Sequence, residues 1–170
     1  MFKVYVEEND VNISLNLYED DIVVDTYTID YPQCGYGGGN IIISPQENYA
    51  LFESWSGQSE HAFVLFKICN KRLEKVLEEG YCYGEAQYIF DENEKTLFQL
   101  NDMYEWMEAT VGENSRVAKL QKYNLDDLSQ TEKDIMYHFT KDFEDGFEMN
   151  FEVKDNRIRL ILEGEEFEIK

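Results

Sequence analysis

The best-placed candidate nucleophile of the chain is Cys34, in the segment YPQCGYGGGN. Cys34 precedes four glycines within Gly35–Gly39. A cysteine enzyme needs a base beside the thiolate and a third group that orients this base. No sequence spacing links His61 or His138 to Cys34, but such partners meet in space. The segment therefore leaves open a small hydrolase or a ligand-binding enzyme with its site around the glycine-rich loop 34–39.

The glycine-rich segment has a second chemical interpretation, as a cradle for phosphate. Such cradles join a strand to a helix, and the helix amino terminus faces the anion. Here the segment continues into Ile41–Ile43, three β-branched residues that favour a strand, and no Lys-Ser/Thr pair follows. We therefore predict a connector, or a glycine loop exposed for contact with a partner, rather than a nucleotide site.

Metal and cofactor chemistry has little support in the sequence. Two histidines without a Cys-x-x-Cys pair do not supply a zinc site. The run Asp91–Glu94 lacks the central glycine and the closing glutamate of a calcium loop. The three cysteines, Cys34, Cys69 and Cys82, form no disulfide pattern. We expect no cofactor and no metal.

Aromatic residues beside glycine and turn segments are the stronger signal. Tyrosine and tryptophan in such places are common anchors of protein interfaces. Trp55, followed by Ser56-Gly57-Gln58-Ser59, offers a large ring beside polar groups on a tight turn. The alternative is that these rings cap the ends of the sheets. The predicted partner-binding residues are Tyr31, Tyr36, Trp55, Ser56, Gln58, Tyr81 and Tyr83.

The chain is strongly acidic. It has 36 acidic and 15 basic residues, a formal net charge of −21 and a sequence pI near 4.3. Such a charge repels the phosphates of nucleic acids and the anionic surface of membranes. It favours a basic protein partner, or it only keeps the chain in solution. We expect neither nucleic acid nor a membrane among the partners.

The sequence predicts a cytoplasmic protein. The amino end, MFKVYVEEND, has no apolar targeting core. No stretch approaches the roughly 18 apolar residues that a membrane span needs. The odd number of cysteines without close spacing agrees with reduced thiols.

Short apolar runs separated by polar turns predict a fold of antiparallel strands. Lys3–Glu7 and Val11–Tyr18 alternate apolar with polar residues around a turn at Asn9-Asp10, and Ile22–Ile29 continues this meander. Ile41–Cys69 reads as the central hairpin of the fold. Its second strand, Ala62–Cys69, is a nearly continuous apolar run, which is typical of a strand buried on both faces.

A partial repeat links two turns of the chain. ISPQENYALF (43–52) and FDENEKTLF (90–98) align if one residue is deleted, with Ser44 on Asp91, Glu47 on Glu94, Leu51 on Leu97 and Phe52 on Phe98. ISPQENYALFESW resembles the strand–turn–strand blades of TolB-like β-propellers, over residues 41–69 and 86–100 only. Gln46-Glu47 replaces the usual Asp-Gly of that family. The resemblance implies blade-like sheets and a partner-binding platform, and it transfers no catalytic residue.

Capping patterns predict a helix in each of two segments of the chain. Asp102 with Glu105 and Ser129 with Glu132 have the spacing of capping boxes. The overall prediction is a mainly β fold of antiparallel meander or blade-like sheets, in a sandwich or an open propeller fragment. One or two helices lie at about 102–111 and 130–145, and residues 1–170 form a single domain.

The function predicted from these features is that of a non-enzymatic acidic binding protein. Its partner would be a basic protein, and an inhibitor or immunity-type protein is one such role. The alternative is the small hydrolase or ligand-binding enzyme with a site around the loop 34–39. The sequence favours the first class because charge and turn aromatics are prominent, whereas no catalytic spacing is.

Overall fold

The computed structural model shows antiparallel strands over almost all of the residues that it describes, which confirms the mainly β prediction. The chain divides into two compact units, Met1–Cys82 and Tyr83–Lys170. Whether the two units form a single folding domain stays a prediction. The structure describes residues 1–8, 12–30, 39–56, 60–83, 86–102, 115–138, 149–154, 157–162 and 165–169.

The first unit contains two antiparallel meanders. The amino-terminal sheet has three strands in the order β1-β2-β3, and the central sheet has four in the order β4-β5-β6-β7. The last residue of β7 belongs to the second unit. The strands are β1 (Phe2–Glu8), β2 (Asn12–Glu19), β3 (Ile22–Asp30), β4 (Gly39–Ile43), β5 (Tyr49–Ser56), β6 (Glu60–Cys69) and β7 (Arg72–Tyr83).

The core of the first unit lies between these two sheets. Ile13, Leu15 and Leu17 alternate along β2, and each is at most 1% exposed. They pack in one cluster with side chains of the central sheet, among them Phe52 and Phe66. In β6, the consecutive residues 63–66 are all buried, so both faces of this strand are covered as predicted.

Two-residue turns close the hairpins β2–β3 and β6–β7. Asp20 and Asp21 have φ values of 49° and 65°, and Asn70 and Lys71 have 51° and 62°. Two successive positive φ values are what a type I′ turn requires, and its twist matches that of the strands. The segment after Asn70, which has both helical and strand character in the sequence, is therefore the strand β7.

The second unit again contains one four-stranded and one three-stranded meander. Its sheets have the orders β11-β10-β9-β8 and β12-β13-β14. The strands are β8 (Ala86–Phe90), β9 (Thr96–Asp102), β10 (Ser115–Asn124), β11 (Gln130–His138), β12 (Met149–Lys154), β13 (Arg157–Leu162) and β14 (Glu165–Ile169).

The repeated turns have the same hydrogen bonds in both units. The Glu47 amide donates to the Ser44 carbonyl at 2.9 Å, and the Glu94 amide donates to the Asp91 carbonyl at 3.0 Å. Glu47 and Glu94 have φ values of 61° and 53°. The repeat therefore extends to backbone geometry. The strand register corrects the alignment, because Ile43 pairs with Ala50 as Phe90 pairs with Leu97.

No deletion is therefore needed in the repeat. Ala50 corresponds to Leu97, and Leu51, not Phe52, corresponds to Phe98. All four side chains are buried, so the apolar pattern alone did not distinguish the two alignments.

The first side chain of each repeated turn, Ser44 or Asp91, accepts backbone hydrogen bonds that close the turn. Removing this side chain should therefore lower the free energy of unfolding. Asp91 Oδ1 accepts from the amides of Lys95 at 2.6 Å and Thr96 at 2.9 Å. Ser44 Oγ accepts one hydrogen bond, from the backbone amide of Tyr49 at 2.9 Å. Both side chains are buried. We expect Asp91→Ala to lower the free energy of unfolding by about 2–3 kcal/mol and Ser44→Ala by about 1 kcal/mol.

Urea denaturation measures whether Asp91→Ala destabilises the fold more than Ser44→Ala does, and Asp126→Ala is the control. Asp126 is exposed and makes a surface ion pair with Lys95, so its loss should cost less than about 1 kcal/mol. Equal effects of Asp91→Ala and Asp126→Ala would contradict the role given to the buried carboxylate.

The helix predicted for about 130–145 is wrong over 130–138, where the structure has β11. All nine residues of this strand pair with β10, from Gln130 opposite Tyr123 to His138 opposite Ser115. Long-range pairing with β10 outweighs the local helical spacing of the apolar side chains. Residues 139–145 and 103–111 lie outside the described residues, and Asp102 ends β9.

Ser129, predicted to cap that helix, instead bonds within the β10–β11 turn. Its hydroxyl and its amide donate to Asp127 Oδ1 at 2.6 Å and 2.9 Å. These bonds, the hydroxyl bond first, stabilise the charged carboxylate and hold the pKa of Asp127 below its ordinary value of 3.8. Because the folded-state pKa is depressed, this interaction favours the fold above the ordinary pKa. The contribution is lost as the pH falls through the folded-state pKa.

A carboxyl NMR titration tests the turn. We expect Asp127 to titrate below 3.8 in the native chain. Ser129→Ala removes the hydroxyl and should bring the pKa back toward that value. An Asp127 pKa that is insensitive to this substitution would show that the hydroxyl bond is not maintained in solution.

Candidate binding surface

The predicted partner-binding residues are only partly within the described residues. Tyr31, Tyr36 and Gln58 lie outside them, as does Cys34 of the alternative enzyme site. Trp55 and Ser56 are the last two residues of β5, and Tyr81 and Tyr83 are near the end of β7. For these four the structure describes the backbone only, so a shared contact surface stays a prediction.

The strand register does place some of these positions at one end of the central sheet. Gly39, at the start of β4, pairs with Ser54, and Trp55 pairs with His61. The β4–β5 and β6–β7 turns lie at the opposite end of the sheet, because the strands are antiparallel. The backbone of Trp55 therefore lies close to the strand that follows the glycine-rich loop.

Gly39 is a glycine for a packing reason. A Cβ at this position would overlap the ring of Phe52 and would lie 2.8 Å from the carbonyl oxygen of Glu53. Phe52 is fully buried in the core of the first unit. The close approach of β4 to β5 thus accounts for the last glycine of the run without any ligand.

The structure shows a second candidate surface, on the solvent side of the amino-terminal sheet. Tyr5 and Tyr18 form an edge-to-face pair with ring centroids 5.1 Å apart and an interplanar angle of 89°. Tyr5 is 52% exposed, and Val23, opposite Tyr18, is 47% exposed. We call the outward side chains Lys3, Tyr5, Glu7, Asn16, Tyr18, Val23 and Thr26 the tyrosine face.

A partly buried hydrogen bond links two strands of the tyrosine face. Asn16 lies opposite Tyr5 in the register and is 7% exposed. Its Oδ1 atom accepts from the hydroxyl of Thr26 at 2.7 Å, which ties β2 to β3. The face is therefore a fixed surface on paired strands, suited to holding its aromatic side chains in place.

Carboxylates border the tyrosine face. Glu7 continues the outward row of β1, and Asp20 and Asp21 form the exposed β2–β3 turn. Lys3, the cation on this face, donates to Asp21 Oδ1 at 3.1 Å. This hydrogen bond and the charge of Asp21 raise the pKa of Lys3 above 10.5. The charge of Lys3 is thus matched locally, the amino-terminal ammonium group lies 3.8 Å from Asp20 Oδ1, and Glu7 is the further acid at this border.

The alternation in the sequence predicted this hairpin, but it did not predict the contact between the two tyrosine rings. The available signal was the alternation Lys3-Tyr5-Glu7 on one strand and Asn16-x-Tyr18 on the next. The pair forms across a diagonal, because Tyr5 is opposite Asn16 and Tyr18 is opposite Lys3. Only the register shows that the two rings meet.

A chain of side-chain hydrogen bonds, buried except at Gln121, links β9 and β10 in the four-stranded sheet of the second unit. The Tyr123 hydroxyl donates to Gln99 Oε1 at 2.9 Å, and Gln99 Nε2 donates to Asn101 Oδ1 at 3.0 Å. Asn101 Nδ2 then donates to Gln121 Oε1 at 2.9 Å. Neutral amides supply neither a nucleophile nor a general base. This network therefore stabilises the pairing of β9 with β10 rather than a reaction.

The described part of the chain shows no metal-binding arrangement. Within it, no group of three or more histidine, cysteine, aspartate or glutamate side chains could hold a metal ion. The same residues include no helix with the length and apolarity that crossing a membrane demands.

Comparisons with known proteins identify no family. Neither the protein-family models nor the curated proteins give a match. Among solved structures, the chain is similar to an uncharacterized protein from Listeria monocytogenes EGD-e, with a TM-score of 0.43 and 7% sequence identity. The match covers 95% of this chain, which spans 59% of the length of that protein. A likeness at this TM-score indicates no function.

Proposed function

We propose that this chain is a non-enzymatic acidic binding protein whose partner is a basic protein. The observation that carries the proposal is the charge surplus. Even if each of the 15 basic side chains paired with one acid, 21 carboxylates would have no cation. Lys3, Lys71, Lys95 and Lys119 already contact carboxylates of the chain itself. A basic partner supplies the missing positive charge.

An inhibitor or immunity-type protein acting in the cytoplasm is the specific role that this proposal favours. Opposite net charges speed the encounter of two proteins, and buried anchors then slow their dissociation. A protein that neutralises a harmful basic partner needs both properties. The same charge disfavours nucleic acid and anionic membranes as partners.

One observation favours the alternative enzyme. Glu53 is a carboxylate only 6% exposed, and its backbone pairs with Asn40, next to the glycine-rich loop. Buried acids near such loops serve as general acids or bases in some hydrolases. Assays of ester, phosphate and glycoside hydrolysis with the native chain, Cys34→Ala and Glu53→Gln test this alternative. Activity that both substitutions abolish would favour the enzyme.

Affinity capture tests the binding proposal. The full chain is immobilised, exposed to a native lysate at about 0.1 M salt and eluted at about 1 M salt, where charges beyond about 3 Å are screened. An unrelated immobilised protein of equal net charge is the control for simple ion exchange. We expect one protein with a basic isoelectric point to be enriched over the control. Enrichment of acidic proteins only, or identical sets on both supports, would contradict the proposal.

A further inference from the structure

The exposed apolar side chains of the described residues concentrate at the amino-terminal sheet. Four of the five that are large and exposed within the described ranges are Met1, Tyr5, Ile22 and Val23. Tyr5 and Val23 belong to the tyrosine face, whereas Ile22 pairs with Glu19 and lies on the side of the sheet that Phe2 turns to the core. The tyrosine face therefore carries two of these side chains, and the carboxylates beside it restrict the chemistry of what can cover it.

We propose that the tyrosine face docks a cationic segment of the basic partner, extended, with arginine or lysine at alternate positions. The proposal rests on the function proposed above and names its site. Aromatic faces attract ammonium and guanidinium groups. The edge-to-face geometry of Tyr5 and Tyr18 sets the two rings at a right angle, so that they form a corner. Glu7 lies beyond one end of this corner and the Asp20-Asp21 turn beyond the other.

The spacing of the outward side chains indicates an extended occupant. Lys3, Tyr5 and Glu7 alternate on β1, so neighbouring members of this row are about 7 Å apart. Alternate residues of an extended peptide have the same separation. One cation of such a peptide can therefore lie over Tyr5 while the next reaches Glu7.

Lys3 is the element of this face that opposes a cationic ligand. Its ammonium group lies 3.1 Å from Asp21 Oδ1 and occupies that carboxylate. Removing the ammonium group frees Asp21 and eliminates a like charge. Lys3→Gln should therefore tighten the binding of a cationic peptide by roughly twofold to fivefold. Nonspecific adsorption of the peptide to the exposed rings would not predict that Lys3→Gln tightens binding.

The probe is a fluorescent octapeptide of alternating arginine and serine, titrated into the full chain at about 0.1 M salt. We expect the Tyr5→Thr/Tyr18→Thr double variant to raise its Kd by roughly fivefold or more, since both ring contacts are lost. Threonine keeps the β propensity of both positions. The double phenylalanine variant keeps the rings and should bind within about twofold of the native chain. Leu128→Asn, an exposed position in the second unit with a φ of 59°, should have no effect.

Chemical-shift mapping on the native chain tests the location without any substitution. We expect the peptide to perturb the amides of β1, β2 and β3 around Tyr5, Tyr18 and Val23. An alternating glutamate peptide should perturb none of them. Shifts confined to the acidic turns of the second unit, or spread evenly over the acidic surface, would overturn the proposed site.

The outcomes separate this inference from the function on which it rests. If the captured basic partner binds the native chain and the double threonine variant equally well, the tyrosine face is not its docking site. The proposal of an acidic binding protein survives that result. If the capture finds no basic partner, the binding proposal fails. A double variant that loses the captured partner, while its circular dichroism spectrum stays native, supports both.

Discussion

Replacing Gly39 by alanine should lower the free energy of unfolding of the first unit by about 3 kcal/mol, a value typical of overpacking in a core. The new methyl group would overlap the ring of Phe52 and approach the carbonyl of Glu53 to 2.8 Å. Phe52 cannot move aside easily because it is fully buried among the residues between the two sheets. Separation of β4 from β5 is the remaining way to relieve the overlap.

Gly80 supplies a matched control. It lies in β7 of the same unit, and a Cβ there would meet no atom within 4 Å. Gly80→Ala should be neutral or stabilise the fold by about 0.5 kcal/mol, because alanine restricts the unfolded chain. Urea denaturation of the native chain and both variants measures the difference. Similar unfolding free energies for the two variants would contradict the packing assigned to Gly39.

The Gly39 result also bears on the chemistry of the glycine-rich loop. If its last glycine is needed for packing against Phe52, that residue gives no support to a phosphate cradle or an enzyme site. The other glycines of the run lie outside the described residues, and their role stays a prediction.

Local patterns in the sequence predicted most of the strands, because this fold is made of consecutive hairpins. Alternation identified β1 and β2, whereas the segment after Asn70 had both helical and strand character, and only the positive φ values of Asn70 and Lys71 show that it follows a hairpin turn. Short connections then require neighbouring antiparallel strands. For the amino-terminal meander, the sequence thus carried both the strands and their order.

Helical spacing misled the prediction where strand pairing decided the structure. Ser129 and Glu132 fit a capping box, but β11 pairs with β10 along its whole length. The positive φ of Leu128, 59°, sets the turn between them. A capping pattern reflects only the preference of one helical turn, whereas β11 is stabilised by hydrogen bonds to the neighbouring strand β10.

The residues of the tyrosine face, which is a proposal, were not predicted from the sequence. The sequence indicated an acidic surface with aromatic anchors, and the tyrosine face combines these two features. The chosen residues, such as Trp55, came from their proximity to glycine and turns. Tyr5 and Tyr18 lie in regular strands, where an aromatic residue ordinarily indicates a core position, and the register between β1 and β2 was needed to bring them together.

The second large effect expected is the dependence of association on salt. With a net charge of −21, the chain should attract a basic partner over distances set by the Debye length, about 10 Å at 0.1 M and about 3 Å at 1 M salt. Steered association is faster than unsteered association by about two to three orders of magnitude. We therefore expect the association rate constant to fall on the order of 100-fold over this range, while the dissociation rate constant changes little.

Stopped-flow measurement of this rate constant, with the purified partner and a series of salt concentrations, tests the account most directly. Charge-driven recognition predicts a steep, continuous fall as salt is added. The Tyr5→Thr/Tyr18→Thr variant should keep the same slope and dissociate faster, because its net charge is unchanged and its ring contacts are lost. An association rate constant that is the same at low and high salt would contradict the claim that the acidic surface recognises a basic protein.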